Sequence, residues 1–136
     1  MNDRFLALLV HDRAHPLESL NTALKELSVE TYSVRTCEEA RHLVPRTQPD
    51  LIFTDTRLPD GSWTDVVDMA EKFDSPVNVI VVSATQDIQL YMSALERGAF
   101  DFVLPPFERQ GLDYVVRSGR EDARHRRKVR VLAALA

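Results

Sequence analysis

Apolar residues along this chain alternate between two rhythms. Phe5 to Val10, Leu51-Ile52-Phe53 and Val77 to Val82 are short, nearly unbroken apolar runs bounded by polar or turn-forming residues. That is how strands buried on both faces of a parallel sheet read. Val29 to Arg35 alternates loosely and predicts a shorter, more exposed strand. Asp101-Phe102-Val103-Leu104 predicts a last strand, stopped by Pro105-Pro106. Between the runs the apolar spacing changes to three and four. Leu17, Leu20, Leu24 and Leu27 predict an amphipathic helix over residues 16–27, with Pro16 suited to its first turn. A second helix is expected from about Glu38 to Val44, limited by Pro45. Ser62 is placed to cap a third, running through Val66, Val67, Met69, Ala70 and Phe73 until Pro76 closes it off. Ile88, Tyr91, Met92 and Leu95 mark a fourth, with Gly98 positioned as its left-handed cap. The last helix begins near Glu108 and shows no stop before Ala136.

Five strand-helix units in strict alternation imply an α/β fold, a doubly wound parallel sheet with helices on both faces, because parallel strands need right-handed crossover connections. At 136 residues the chain makes one domain with a real core, and 44% hydrophobic and 28% charged residues exclude fibrous and disordered classes. The longest apolar runs fall far short of the roughly 20 residues of a membrane span, and no signal-peptide pattern opens the chain. A cytoplasmic protein is expected. The single cysteine, Cys37, cannot form an internal disulfide, in keeping with a reducing compartment, and is expected as a plain half-buried residue rather than a low-pKa thiol at a helix start. The net charge of −4 is unevenly spread: residues 1–116 carry ten basic and nineteen acidic side chains, residues 117–136 seven basic and two acidic. The last stretch is therefore a different kind of surface.

Candidate chemistry gathers at the strand ends. Asp55 closes the third strand, and Leu58-Pro59-Asp60-Gly61 then turns the chain, Pro59 presetting φ and Gly61 free to take a positive one. In an open α/β sheet the carboxyl ends of the strands form the edge where ligands bind. Alone, a strand-end Asp is equally a cap for the next helix. Two more polar groups reach the same edge, however: His11-Asp12 after the first strand and Ser83-Ala84-Thr85 after the fourth.

Taken together, Leu9-Val10-His11-Asp12, Asp55 with Leu58-Pro59-Asp60-Gly61, Val82-Ser83-Ala84, and Gly98-Ala99 leading through Phe102 to Pro106-Phe107 resemble the receiver domain of two-component response regulators over roughly residues 4–118. The resemblance implies a flavodoxin-like (βα)5 sheet of strand order 2-1-3-4-5. It implies a phosphoacceptor at Asp55, Mg²⁺ held by Asp12, Asp55 and the backbone carbonyl of Arg57, a phosphoryl-binding hydroxyl at Ser83, and Phe102 as the aromatic residue that switches with it. It also implies a cis Pro105-Pro106 bond. A sensor histidine kinase would be the donor, and a partner or output domain would read the face of the fourth helix, fifth strand and last helix. No enzyme activity is expected beyond catalysis of the domain's own phosphotransfer and dephosphorylation. Residues 1–118 form the receiver on this view, and residues 119–136 a basic helical extension serving as linker or dimerisation segment, as if the chain were the N-terminal part of a larger regulator.

Two positions depart from the pattern. Receivers carry two adjacent acids after the first strand, and here the first is His11. They carry a Lys before the fifth-strand proline, and here that place is Pro105. Pro105 offers neither charge nor donor, a change that typically costs about 10²- to 10³-fold in a phosphoryl-site rate. His11 is expected either to replace the missing Lys in part, as a cation near two carboxylates, or to be a tolerated polar residue at a degenerated site. Mg²⁺ is accordingly expected to be weak or optional. The second functional class is a pseudo-receiver, a phosphorylation-independent protein-interaction or dimerisation module.

Other chemistries fit less well. His11 and His15 are four apart, but the spacing straddles a strand end and a loop rather than a helix face, which argues against a zinc pair. A flavin-binding fold would need a Ser/Thr/Gly-rich phosphate loop where the chain reads His-Asp-Arg-Ala-His-Pro. A haloacid dehalogenase phosphatase would need an Asp at position 57, which is Arg57. Trp63 either covers the acceptor pocket or packs on the helix it starts. The basic run Arg117 to Arg130 reads as a solvated helix face, or else as a helix leaving the globule; with no interleaved aromatics and an acidic domain behind it, direct nucleic-acid binding is not expected, and neither is membrane binding.

Overall fold

Leu6 to Val10, Leu51 to Asp55 and Asn78 to Val82 are buried at every residue, and these runs are the middle of the sheet. The computed structural model describes residues 4–136. In chain order the elements are β1 (Leu6–Val10), α1 (Leu17–Glu26), β2 (Glu30–Val34), α2 (Cys37–Thr47), β3 (Leu51–Asp55), β4 (Arg57–Leu58), β5 (Gly61–Ser62), α3 (Trp63–Glu71), β6 (Asn78–Val82), α4 (Ile88–Arg97), β7 (Asp101–Val103) and α5 (Arg109–Leu135). Five strands pair in parallel in the order β2-β1-β3-β6-β7. With the two-residue ribbon β4-β5 set aside, this is the flavodoxin-like order 2-1-3-4-5 that the resemblance implies. β2, expected to be more exposed, is an edge strand on which Glu30, Tyr32 and Ser33 face solvent.

The alternation of side chains along each strand divides the core in two. Leu8, Val10, Ile52, Val79 and Val81 meet Ala40 and Val44 of α2, Val66, Val67 and Ala70 of α3, and Ala94 of α4. Ala7, Leu9, Leu51, Phe53, Ile80 and Val82 meet Leu17, Leu20 and Leu24 of α1 and Leu112 and Val116 of α5. Each of these larger side chains, fully buried, contributes about 1.5–3 kcal/mol. Trp63, the first residue of α3, is buried in the first of these clusters. Ser62 caps α3 through a capping box with Asp65, and Gly98 ends α4 at φ 112°.

Two elements differ from the sequence reading. α2 does not stop at Pro45 but runs through it to Thr47 and ends at Gln48 in the left-handed region. A proline this close to the end removes a single amide donor, and the buried Ala40 and Val44 with the Gln48 amide on the Val44 carbonyl at 2.8 Å hold the last turn. The basic run of α5 is not a plainly solvated face. Arg124 and Arg127 donate to the buried Asp50 carboxylate at 3.1 and 3.3 Å, and Arg127 also reaches the carbonyls of Pro49 and Pro76 at 2.7 and 2.8 Å. Arg126 bonds Asn78 and Asp122, and Arg130 the carbonyl of Asp74. These arginines fasten α5 across the amino ends of β3 and β6. The helix crosses residue 118 unbroken, with Val116, Gly119 and Ala123 all buried, while Val129, Val131, Leu132 and Leu135 beyond are exposed.

Candidate functional site

Register fixes the geometry of the opposite edge. Val10 pairs with Thr54 and Asp55 with Val82, so β1, β3 and β6 end level. Asp12 follows β1 by two residues, Asp55 is the last residue of β3, and Ser83 follows β6 directly. The fold thus carries all three to one rim, although the hydrogen bonds that hold them run to other groups.

Asp55 is enclosed, its side chain 1% exposed. Its Oδ1 accepts from the Thr56 amide at 2.7 Å and from Arg13 Nη2 at 2.8 Å, and its Oδ2 from Arg13 Nε at 3.1 Å. The guanidinium therefore grips the carboxylate by both oxygens, the arrangement in which an Arg–carboxylate pair is strongest and most directional. That hydrogen bond is the main reason the Arg13 pKa lies above its ordinary value, burial opposing it. The Asp12 carboxylate, 40% exposed, takes Arg35 Nε at 3.0 Å. Ser83 is buried, and its hydroxyl donates to the Thr85 carbonyl at 2.7 Å while accepting the Thr85 amide at 3.3 Å.

The remaining predicted positions surround this core. His11 turns its Nδ1 to the Arg13 carbonyl at 2.8 Å; the cation on the Asp55 oxygens is Arg13, not His11. His15 is exposed, in the turn before α1. Arg57 lies on the β4-β5 ribbon with its side chain exposed. Phe102 is buried on β7 and meets Tyr91 of α4 edge to face, ring centroids 5.6 Å apart. Pro105 stands half-buried between β7 and α5, and its bond to Pro106 is cis, as the resemblance implies.

Arg13 and Arg35 are the residues that sequence reasoning missed. The signal was present: each lies within three residues of a strand's carboxyl end, on the loops that form the rim. A chain lacking the expected Lys is one in which every basic residue on those loops is a possible substitute.

The loop after Asp55 has its own anchor. Asp60 accepts the amides of Cys37 and Glu38 at 2.9 and 3.0 Å, capping α2 from outside alongside Thr36. Burial raises the Asp60 pKa, but those amides outweigh it and hold the carboxyl below the usual range. Cys37 starts α2, yet burial first, then Asp60 and Asp65, push its thiol up to about 12. It is the inert half-buried residue expected.

Mg²⁺ takes hard oxygen ligands, usually one or two carboxylates with carbonyls and waters. Asp12, Asp55 and the Arg57 carbonyl are all oxygen donors, so the donor types fit. Among the described residues no group of three or more His, Cys, Asp or Glu side chains assembles into a metal cluster. Both carboxylates already accept from guanidinia, so an ion would compete with Arg13 and Arg35 for the same oxygens.

Comparison with known proteins is independent of this geometry. The family model of the response regulator receiver domain matches residues 7–117. Response regulator protein PilR of Pseudomonas aeruginosa is 36% identical over 102 residues, which cover 75% of this chain and 23% of PilR. The crystal structure of NtrX from Brucella abortus superposes with a TM-score of 0.77 at 26% identity, covering 95% of this chain and 29% of that one. The signal receiver domain of an HD domain-containing protein from Pseudomonas fluorescens Pf-5 superposes with a TM-score of 0.79 at 22% identity, covering 94% and 95%, a likeness of fold alone. The chain spans about a quarter of the length of relatives such as PilR and the Escherichia coli regulatory protein AtoC. No helix among the described residues is long and apolar enough to cross a membrane.

Proposed function

The chain belongs to the response regulator receiver domain family, and on that premise we propose that it is a phosphoacceptor module of a two-component pathway, taking a phosphoryl group on Asp55 from a sensor histidine kinase. One observation carries the proposal: Asp55 is the terminal residue of β3 on the rim shared with Asp12 and Ser83, its carboxylate already oriented by a guanidinium and a backbone amide. Transfer needs little covalent help from the protein, since positioning and charge neutralisation supply most of the catalysis. The Thr56 amide holds one Asp55 oxygen in place, and Arg13 balances its charge. Ser83 would leave the Thr85 carbonyl and turn its hydroxyl to the new acyl phosphate, and Phe102, packed on Tyr91, would pass the change to α4. Mg²⁺, when held by Asp12, Asp55 and the Arg57 carbonyl, would neutralise phosphoryl oxygens.

Ile88, Tyr91, Met92 and Leu95 of α4 are exposed apolar side chains on the face a partner or output domain would read. Incubation with acetyl phosphate and Mg²⁺ followed by intact-mass measurement tests the assignment. A gain of one phosphoryl group that Asp55→Asn abolishes is expected; no gain removes it.

The burial of Asp55 favours a second reading. With 1% of its side chain exposed beneath Arg13, and with His11 and Pro105 in place of the acid and Lys, the domain would serve as a phosphorylation-independent interaction or dimerisation module. The same mass measurement separates the two.

A further inference from the structure

The rim has lost a Lys at position 105 but has not lost its cation. We infer that Arg13 is the phosphoryl-binding residue of this domain, reaching from the loop after β1 the group that Pro105 cannot touch. The inference takes Asp55 as the acceptor, as proposed above. Arg13 already holds both Asp55 oxygens, at 2.8 and 3.1 Å, so it stands where the incoming group must arrive. A guanidinium fork matches phosphate oxygens as well as carboxylate oxygens. Its side chain is 55% exposed against 1% for Asp55, which leaves it room to swing outward while Asp55 stays fixed. The His11 ring bonds the Arg13 carbonyl at 2.8 Å and so braces the backbone from which Arg13 extends. The neighbouring cation, Arg35, is engaged on Asp12.

In the transfer from acetyl phosphate, an Asp55 carboxylate oxygen forms a bond to phosphorus. The bond from phosphorus to the acetyl oxygen breaks, and its electron pair leaves with acetate. No proton or co-reactant is required. Arg13 begins on the carboxylate and ends on the phosphoryl oxygens, so its charge stays with the negative charge as that charge moves.

The experiment follows uptake from acetyl phosphate by intact mass for the wild type, Arg13→Ala, Arg13→Lys and the double variant Arg13→Ala with Pro105→Lys. Calorimetric titration with beryllofluoride is the second readout, and melting temperature reports folding. Loss of the cation should slow uptake by about 10²-fold and weaken beryllofluoride binding, with Arg13→Lys retaining part of both. Recovery in the double variant would show that the charge, and not the shape of Arg13, is what the site needs. Arg13→Ala taking up phosphoryl as fast as the wild type, or faster, overturns the inference while leaving Asp55 as acceptor; a lowered melting temperature at unchanged rate would mark Arg13 as structural. A wild type that gains nothing, when folded, overturns both.

Discussion

Replacing Asp50 with alanine should destabilise the domain more than any change among the surface charges, although Asp50 lies at the end of the sheet remote from Asp55. Its carboxylate is 5% exposed and takes Arg124 Nε at 3.1 Å, Arg127 Nη1 at 3.3 Å and the Leu6 amide at 3.4 Å. Removing one partner of a buried ion pair costs about 3–5 kcal/mol when the other is left buried and uncompensated. Here the loss is smaller. Arg124 and Arg127 are 40% and 24% exposed, and they retain the carbonyls of Arg4, Pro49 and Pro76. A loss of about 2–3 kcal/mol is expected, near what removing a hydrogen bond to a charged group costs. With a urea m-value of about 2 kcal/mol/M, the midpoint should fall by roughly 1–1.5 M. Asp50→Asn, which keeps the shape and one acceptor, should lose about half as much. In the cycle with Arg127→Ala the coupling should exceed about 1 kcal/mol. A loss below about 0.5 kcal/mol in Asp50→Ala, or additivity in the cycle, would refute the claim that these arginines clamp α5 through Asp50.

Two further predictions concern α5 and α2. Gly119→Ala puts a methyl 2.6 Å from Leu51 Cδ2, in the core between α5 and β3, whereas Gly111→Ala meets nothing within 4 Å. The second should stabilise by about 0.5–1 kcal/mol through helix propensity and the first should lose about 1 kcal/mol or more, both read from urea midpoints; equal responses would contradict the close approach of α5 at Gly119. Asp60 has its folded pKa depressed, so its contribution is complete above the ordinary carboxylate value near 4 and lost as pH falls through the folded value. Between pH 5 and pH 3 the wild type should therefore lose more stability than Asp60→Asn, and parallel pH profiles would rule the capping role out.

Where periodicity was strong the fold was legible. The nearly unbroken run at Val77 to Val82, the spacing of Leu17, Leu20 and Leu24, and Gly98 at the end of α4 each reported local physics that tertiary structure left unchanged. Pro45 misled because a proline beyond the first turn costs a helix one hydrogen bond, and near the end of α2 buried contacts outweigh that cost. The α5 arginines misled for a different reason. Their long-range partners include the Asp50 carboxylate, the Asn78 side-chain amide and main-chain carbonyls 48 to 78 residues away, and no local pattern reports those. At the rim the carboxylates were legible because strand ends announce themselves. The cations were not, because loop conformation decides whether an Arg three residues beyond a strand points into the rim or into solvent.

Charge balance explains why substitutions at two motif positions leave the rim intact. A receiver with two adjacent acids, an acceptor and a Lys holds an excess of negative charge. Exchanging one acid for His11 and the Lys for Pro105 preserves that excess when His11 is counted as uncharged, as the motif alone would have it. The structure then adds two guanidinia from outside the motif, Arg13 on Asp55 and Arg35 on Asp12, so that two carboxylates face two cations and the rim is formally neutral. A guanidinium and a divalent ion repel each other, and both would draw on the same Asp55 oxygens. Arg13 and such an ion therefore do not share the Asp55 oxygens; one has to give way to the other. Positive charge beside Asp55 is thus supplied by the side chain that follows Asp12, and the pairing with that carboxylate which Pro105 cannot make is made by Arg13.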